Sequence, residues 1–168
     1  MSKTSQHIDE LASYFRFAGG EVRGGSLADI EVLLKGLESE RAAVGQQLLK
    51  HLEAKTTEQG LLLVAVRRER VLGAGLGYVQ DDCYWVNEMV TDGKVRGTGT
   101  ALMRSFAQRA RIAGKELRLQ AYREGESLGF YDMLGARTVD HYNKRVLGWK
   151  KAALGALAGD VEIEAPTL

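Results

Sequence analysis

Apolar residues recur at helical spacing in the first third of the chain. Between Leu27 and Leu37 they return every three or four positions, which predicts an amphipathic helix. Ser26 and Asp29 stand three positions apart at its start, the spacing of a capping box, so we expect the helix to begin there. The same periodicity predicts a second helix over 40–56 and a short one over 5–17.

The period shortens to that of β-strands after Gly60. The apolar run 61–66 is followed by the charged segment 67–70 and a further apolar run, which predicts a hairpin. Asp81 and Asp82 mark the next turn, so the hairpin extends into a three-stranded meander. The predicted strands are 21–23, 61–66, 71–79, 84–91, 117–122 and 137–146.

Two helices interrupt the strands in the second half of the chain. A glycine-rich segment follows the meander and leads into a helix that we expect to end near Ala113, before Gly114. A shorter helix over 125–134 ends at Gly135, and the tail 148–168 specifies no element strongly. This order of elements predicts one α+β, or mixed-sheet α/β, domain covering residues 1–168, with a single β-α-β crossover.

The composition is that of a globular protein rather than a disordered or fibrous one, with 45% hydrophobic and 27% charged residues. No apolar run approaches the roughly 20 residues of a membrane span, so we expect no membrane partner. The first residues contain no apolar signal core, and we therefore expect a cytoplasmic protein. The single cysteine, Cys83, excludes an internal disulfide and a multi-cysteine zinc site.

The charge is nearly balanced, at 23 Lys and Arg against 22 Asp and Glu. Domains that bind nucleic acid usually carry a basic excess, so we expect no nucleic-acid partner. The basic stretch between 104 and 118 is interpreted as a solvated helix face; its members are Arg104, Arg109, Arg111, Lys115 and Arg118. The three histidines lack metal-ligand spacing, so we expect no metal site; they are His7, His51 and His141.

The segment 96–101 carries the strongest chemical signal, because it lies between a predicted strand and a predicted helix. The first N–H groups of a helix have no intrahelical acceptor, and the helix dipole adds partial positive charge there. The small residues Gly97, Gly99 and Ala101 would let a phosphate approach these groups, and Arg96 adds a charge. The segment lacks the Gly-Lys-Ser/Thr end of a Walker loop and the third glycine of a dinucleotide fingerprint. We therefore expect a site for phosphate or pyrophosphate.

A second glycine-rich run, 73–77, continues into strand residues rather than into a helix. We interpret it as a bulge or as a place of close backbone packing, and not as a phosphate loop.

Arg96, Gly99 and Ala101 match the Arg/Gln-x-x-Gly-x-Gly/Ala motif of the GNAT superfamily of acetyl-CoA-dependent N-acetyltransferases, which the chain resembles. The segment 129–136 is similar to a second element of that family, Phe-Tyr-x-x-Leu-Gly-Phe/Ala. Two positions before it depart from the family pattern, Glu124 in place of Asn and Ser127 in place of Ala. The resemblance implies a mixed, mostly antiparallel central sheet flanked by helices. Its core spans about 20–147, and 148–168 form a C-terminal tail.

The resemblance also implies roles for individual residues. Glu88 would take the proton from the attacking amine, and Tyr131 would donate a proton to the departing thiolate. Strand residues Met89, Val90 and Thr91 would offer backbone groups to the pantetheine arm, as a strand pairs with a sheet edge. The loop that would hold the coenzyme phosphates consists of Arg96, Gly97, Thr98, Gly99, Thr100 and Ala101.

The function implied by the resemblance is transfer of the acetyl group of acetyl-CoA to a primary amine by direct attack in a ternary complex. The acceptor stays open between a small molecule and a protein, and a homodimer stays open as well. One alternative is a non-catalytic module that binds or senses acyl-CoA. Another is a protein that binds nucleotide phosphates through the same loop. Turnover with a panel of amines, and competition between acetyl-CoA and ATP, would separate them.

Overall fold

The structure, a computed structural model, describes residues 15–17, 19–53, 61–121, 126–140 and 146–159. The strands in these ranges are β1 (Phe15–Phe17), β2 (Gly20–Gly24), β3 (Leu61–Arg67), β4 (Arg70–Gln80), β5 (Cys83–Thr91), β6 (Glu116–Gln120), β7 (Arg137–Thr138) and β8 (Val146–Trp149). The helices are α1 (Leu27–Leu34), α2 (Ser39–Glu53), α3 (Thr98–Ile112), α4 (Glu126–Met133) and α5 (Lys151–Ala158).

The described strands form a single sheet in the order β1-β2-β3-β4-β5-β6-β8-β7. Every neighbouring pair is antiparallel except β5 and β6, which run parallel. Parallel neighbours need a crossover connection, and α3 supplies it. The predicted mixed, mostly antiparallel sheet is therefore confirmed.

Helices cover the two faces of this sheet, and β3 shows how its residues are divided between them. Leu62, Val64 and Val66 pack in one buried cluster with residues of α1 and α2. Leu63 and Ala65 pack in the other cluster, which contains residues of α3 and α5. Successive side chains of a strand point to opposite faces, so a strand covered on both sides has to be apolar throughout. This explains the continuous apolar run at 61–66.

The predicted capping box at the start of α1 is confirmed. Ser26 Oγ accepts a hydrogen bond from the Asp29 N–H at 3.4 Å, and the Asp29 carboxylate accepts one from the Ser26 N–H at 2.8 Å. Arg23 of β2 donates to both Asp29 carboxylate oxygens, and these hydrogen bonds lower the pKa of Asp29. The cap thus also joins α1 to the sheet.

The glycine run in β4 serves close packing, as predicted. A Cβ placed on Gly75 would lie 2.6 Å from the ring of Phe106, which is a buried residue of α3. The register also shifts between Leu76 and Gly77, where β4 faces β5. Helix α3 therefore lies closer to the sheet than a β4 with larger side chains would permit.

Three segments differ from the sequence-based predictions. Residues 15–17 form a strand paired with β2, so the predicted helix is wrong there, and the rest of 5–17 lies outside the described residues. The predicted strand 137–146 is only β7 at its start, with β8 beginning at its end. Part of the weakly specified tail forms α5, whose apolar residues are buried against α3. Sheet pairing and packing decided these segments, since their local patterns are ambiguous.

Candidate active site

The pairing of β5 changes at Asn87. Leu76 pairs with Glu88 and Gly77 with Val86, so Asn87 is an extra residue on β5, which makes a β-bulge. The pairing with β6 also ends at Val86. Within the described part of the chain, no strand pairs with 87–91 on that side, so an opening separates this half of β5 from β6.

The bulge reverses which face each later side chain of β5 meets. Before it, Tyr84 and Val86 belong to the cluster that contains α3. After it, Val90 belongs to the cluster with α1 and α2, while Met89 packs on the α3 side. Without the extra residue, alternation would direct Glu88 toward α3. The bulge therefore directs Glu88 toward α2.

Peptide groups of β5 face the opening in alternation. The Val90 carbonyl faces β4, because it lies 3.0 Å from the position of a Cβ on Gly73, and the Asp92 N–H donates to β4 at 2.8 Å. Met89 and Thr91 consequently direct their peptide groups away from β4. The Thr91 carbonyl accepts a hydrogen bond from Nη1 of Arg41, on α2, at 2.8 Å. Of the three residues predicted to meet the pantetheine arm, two therefore have peptide groups facing the opening.

The loop after β5 ends at the N-terminus of α3. Gly97 caps the helix with φ of +90°, a conformation that favours glycine, and makes no side-chain capping hydrogen bond. The first three helical N–H groups, those of 98–100, lack intrahelical acceptors. The Ala101 N–H already donates to the Gly97 carbonyl at 2.9 Å, and Ala101 is only 1% exposed. The helical N–H groups left available at this terminus are therefore the three of 98–100, and Ala101 contributes close packing.

Two side chains hold this loop in place. The first turn of α3 contains no acidic residue that would repel an anion. Thr98 is buried, and its hydroxyl donates to the Val95 carbonyl at 2.8 Å. At the start of the loop the Asp92 carboxylate accepts the Lys94 N–H at 2.9 Å. Arg96 is exposed beside the helix terminus. The loop is thus organised before any anion binds, and its charged side chain remains accessible.

Helix α4 packs Tyr131 against the cluster that contains α3, near enough to Glu88 for the two to interact. The ring of Phe130 lies 3.2 Å from the position of a Cβ on Gly99. The segment 96–101 therefore packs directly against the segment 129–136. The Phe130 and Tyr131 rings are 5.1 Å apart in an edge-to-face arrangement. Burial, together with the negative charge of Glu88, raises the pKa of Tyr131 to about 12. Glu88 and Tyr131, from separate elements, therefore lie near enough for the charge of one to raise the pKa of the other.

Glu88 lies in a desolvated position with one histidine beside it. Its side chain is only 15% exposed, and burial raises the pKa of its carboxyl group. Nε2 of His51, on α2, lies 3.7 Å from the Glu88 carboxylate. The sequence analysis considered His51 only as a metal ligand and missed this proximity. The sequence did offer one signal for it, because His51 follows the buried Leu48 by three residues and so lies on the face of α2 that packs against the sheet.

Other predicted features leave the site unchanged. Cys83 is buried and forms no disulfide. Among the described residues, no group of three His, Cys, Asp or Glu side chains could hold a metal ion. His7 and His141 lie outside those residues. None of the helices described here is long and apolar enough to cross a membrane.

Comparison with solved structures finds this fold in acetyltransferases. A proposed GNAT-family acetyltransferase from Desulfovibrio desulfuricans aligns over 79% of this chain and 99% of its own, with a TM-score of 0.61 and 13% identity. PaiA N-acetyltransferase from Thermoplasma acidophilum, solved with coenzyme A, aligns over 77% and 96%, at 0.58 and 17%. A mutant AtaT toxin bound to the C-terminus of antitoxin AtaR and to acetyl-CoA aligns over 83% and 98%, at 0.60 and 15%. No protein-family model and no curated protein matches the sequence.

Proposed function

We propose that this chain, which has the fold of the GNAT acetyltransferases, binds acetyl-CoA and transfers its acetyl group to a primary amine. One observation carries the proposal: the unpaired edge of β5 begins beside Glu88 and leads to the amides at the start of α3. A long, extended ligand with a phosphate group at one end and a reactive group at the other fits this arrangement. Acetyl-CoA has that form.

The coenzyme would follow the opening along β5. Its pyrophosphate accepts hydrogen bonds from the amides of 98–100, where the helix dipole favours negative charge. The pantetheine arm pairs with the peptide groups of Met89 and Thr91, as an added strand would. The thioester then lies near Glu88 and Tyr131. The coenzymes in the PaiA and AtaT complexes support this choice of ligand.

The residues at that end match the proton transfers that the reaction requires. A protonated amine first gives a proton to the Glu88 carboxylate, directly or through water, and its nitrogen then attacks the thioester carbon. As the carbon–sulfur bond breaks, the Tyr131 hydroxyl donates a proton to the sulfur. The phenolate regains a proton from the nitrogen of the new amide. The products are the N-acetylated amine, coenzyme A and one proton.

The alternative of a non-catalytic acyl-CoA module is less well supported by the site. Binding needs only the amides and the open edge. It does not require a carboxyl group in a desolvated place with a raised pKa, beside a tyrosine that stays protonated at neutral pH. Perturbed groups in a cleft are typical of catalysis, so these two side chains favour the enzyme.

The coenzyme site can be tested at Thr100, which is half-buried in the first turn of α3. Thr100→Glu places a negative charge that favours the helix terminus but repels a phosphate, so the fold should persist while binding weakens. We expect the Kd for acetyl-CoA, measured by calorimetry, to rise about tenfold or more, since 1.4 kcal/mol is a factor of ten. Thr100→Gln is the matched neutral control and should stay within about twofold of the parent.

Equal Kd values for the parent and a folded Thr100→Glu variant would overturn the coenzyme site. Release of coenzyme A thiol with a panel of small amines and peptides then tests the reaction itself. Binding without turnover across the whole panel would favour the acyl-CoA module. Displacement of acetyl-CoA by ATP at similar concentrations would favour the nucleotide-phosphate alternative.

A further inference from the structure

His51 lies in the last turn of α2, the helix that packs along β5. It follows fully buried Leu48 by three positions, so it extends the inner stripe of this helix toward the sheet. The imidazole Nε2 lies 3.7 Å from Oε1 of Glu88. This distance exceeds a direct hydrogen bond but is short enough for a small side-chain rotation to form one.

The two side chains differ in their access to solvent. The Glu88 side chain is 15% exposed, whereas that of His51 is 34% exposed. A coenzyme and an acceptor in the opening between β5 and β6 would cover the carboxylate further. The imidazole thus lies between a nearly enclosed carboxylate and the solvent on the α2 side.

The proposed reaction leaves a proton on Glu88 in every turnover, because an ammonium ion enters and a neutral amide leaves. That proton has to reach solvent before the carboxylate can act again. Tyr131 is no acceptor for it, since its pKa of about 12 keeps the hydroxyl protonated. Imidazole is the side chain that gains and loses a proton most readily between pH 5 and 8.

We propose that His51 is a positioning residue that acts through Glu88, accepting the proton from its carboxyl group at Nε2 and releasing it to solvent. No bond other than those to the moving proton changes, and the carboxylate is regenerated. This inference rests on the proposed acetyl transfer. The described groups that face Glu88 are His51 from α2 and Tyr131 from α4, while Lys50 and Glu53 of the same helical turn are exposed.

The test uses His51→Gln, which keeps a polar side chain of similar size but cannot carry a proton at neutral pH. We expect kcat to fall about tenfold at pH 7, with the Kd for acetyl-CoA within about twofold of the parent. The same substitution in a Glu88→Gln background should change kcat by less than about twofold, because the proton donor is already gone. Glu53→Gln, an exposed site in the same turn, is the control and should match the parent.

Rescue separates a proton relay from a packing role. His51→Ala leaves space for a small base, so added imidazole should restore most of its kcat, whereas sodium chloride of equal ionic strength at the same pH should not. A parental kcat in His51→Gln, equal losses in the parental and Glu88→Gln backgrounds, or no rescue by imidazole would each overturn the relay. A parent that transfers no acetyl group to any amine overturns the proposed function, and the relay with it. The two failures are therefore distinguishable.

Discussion

The two halves of β5 differ in strand pairing and in burial although they belong to one strand. From Cys83 to Val86 the strand is paired on both sides, with β4 and β6, and three of its four residues are buried. From Asn87 to Thr91, β4 is the one described strand that pairs with it, through Glu88 to Thr91, and Val90 is the one buried residue of this half. The bulge at Asn87 marks the boundary.

A sheet becomes available for binding where a strand loses one of its two partner strands. In the first half every peptide group has a partner strand, and the side chains form core, so nothing is left to recognise a ligand. In the second half no described strand replaces β6, so peptide groups of β5 face an opening, and the reversed alternation directs Glu88 beside it toward α2. Structure and proposed function therefore change at the same residue.

Deletion of Asn87 should have the largest effect, because the side-chain alternation of the first half of β5 would then continue into the second half. A regular register would direct Glu88 toward α3 and remove buried Val90 from its cluster. We expect urea unfolding to show a loss of about 3 kcal/mol or more. Asn87→Ala keeps the bulge and is the control, with a loss below about 1 kcal/mol. A deletion variant with parental stability and parental acetyl-CoA affinity would contradict the role given to the bulge.

Tyr131→Phe should have the next largest effect. It should lower kcat without changing stability or coenzyme affinity. The substitution keeps the ring that packs against Phe130, so the unfolding midpoint and the Kd for acetyl-CoA should change little. Loss of the proton donor should lower kcat about 10²-fold. The loss should shrink for an acyl donor with a more acidic thiol, which needs less help to depart.

Tyr78→Phe is the matched control for that experiment. It removes a hydroxyl from a half-buried tyrosine of β4 that has no role in the proposed reaction. Its kcat should equal that of the parent. If Tyr131→Phe also turns over at the parental rate, with the chemical step limiting, Tyr131 is a packing residue and the proton must come from another donor.

The smallest of the three principal effects is the change in stability expected for Glu88→Gln, and its sign is informative. Burial raises the pKa of Glu88 above its ordinary value of 4.5, so the folded state resists ionisation of this carboxyl group. The associated stability is complete below the ordinary pKa and is lost as the pH rises through the folded pKa. Glu88→Gln should therefore unfold at higher urea than the parent at pH 8, with the gain shrinking toward pH 4.

The control for this pH dependence is Glu53→Gln, the same change at an exposed position of α2. It should show no comparable gain at pH 8. A Glu88→Gln variant that is less stable than the parent at pH 8 would mean that the carboxylate is held by favourable contacts, which would contradict its desolvated place.

Most elements of the fold could be predicted from local pattern, and particular residues show why. Ser26 and Asp29 interact within one helical turn, so their spacing alone is informative. The short apolar run 61–66 between Gly60 and a charged segment is typical of a strand that is covered on both faces, which is what the structure shows. Residues 15–17 form a strand because they pair with β2, and this partner is not visible in the local pattern.

For the site, the loop before α3 could be predicted from local pattern, because a glycine at Gly97 and small residues after it are local requirements of a helix start with accessible N–H groups. Long-range packing decided that Ala101 is core and that peptide groups of Met89 and Thr91 face an opening. It also decided that His51 lies beside Glu88. These relations depend on one extra residue in β5 and on the helix packed across it, and such long-range geometry leaves no periodic pattern in the chain.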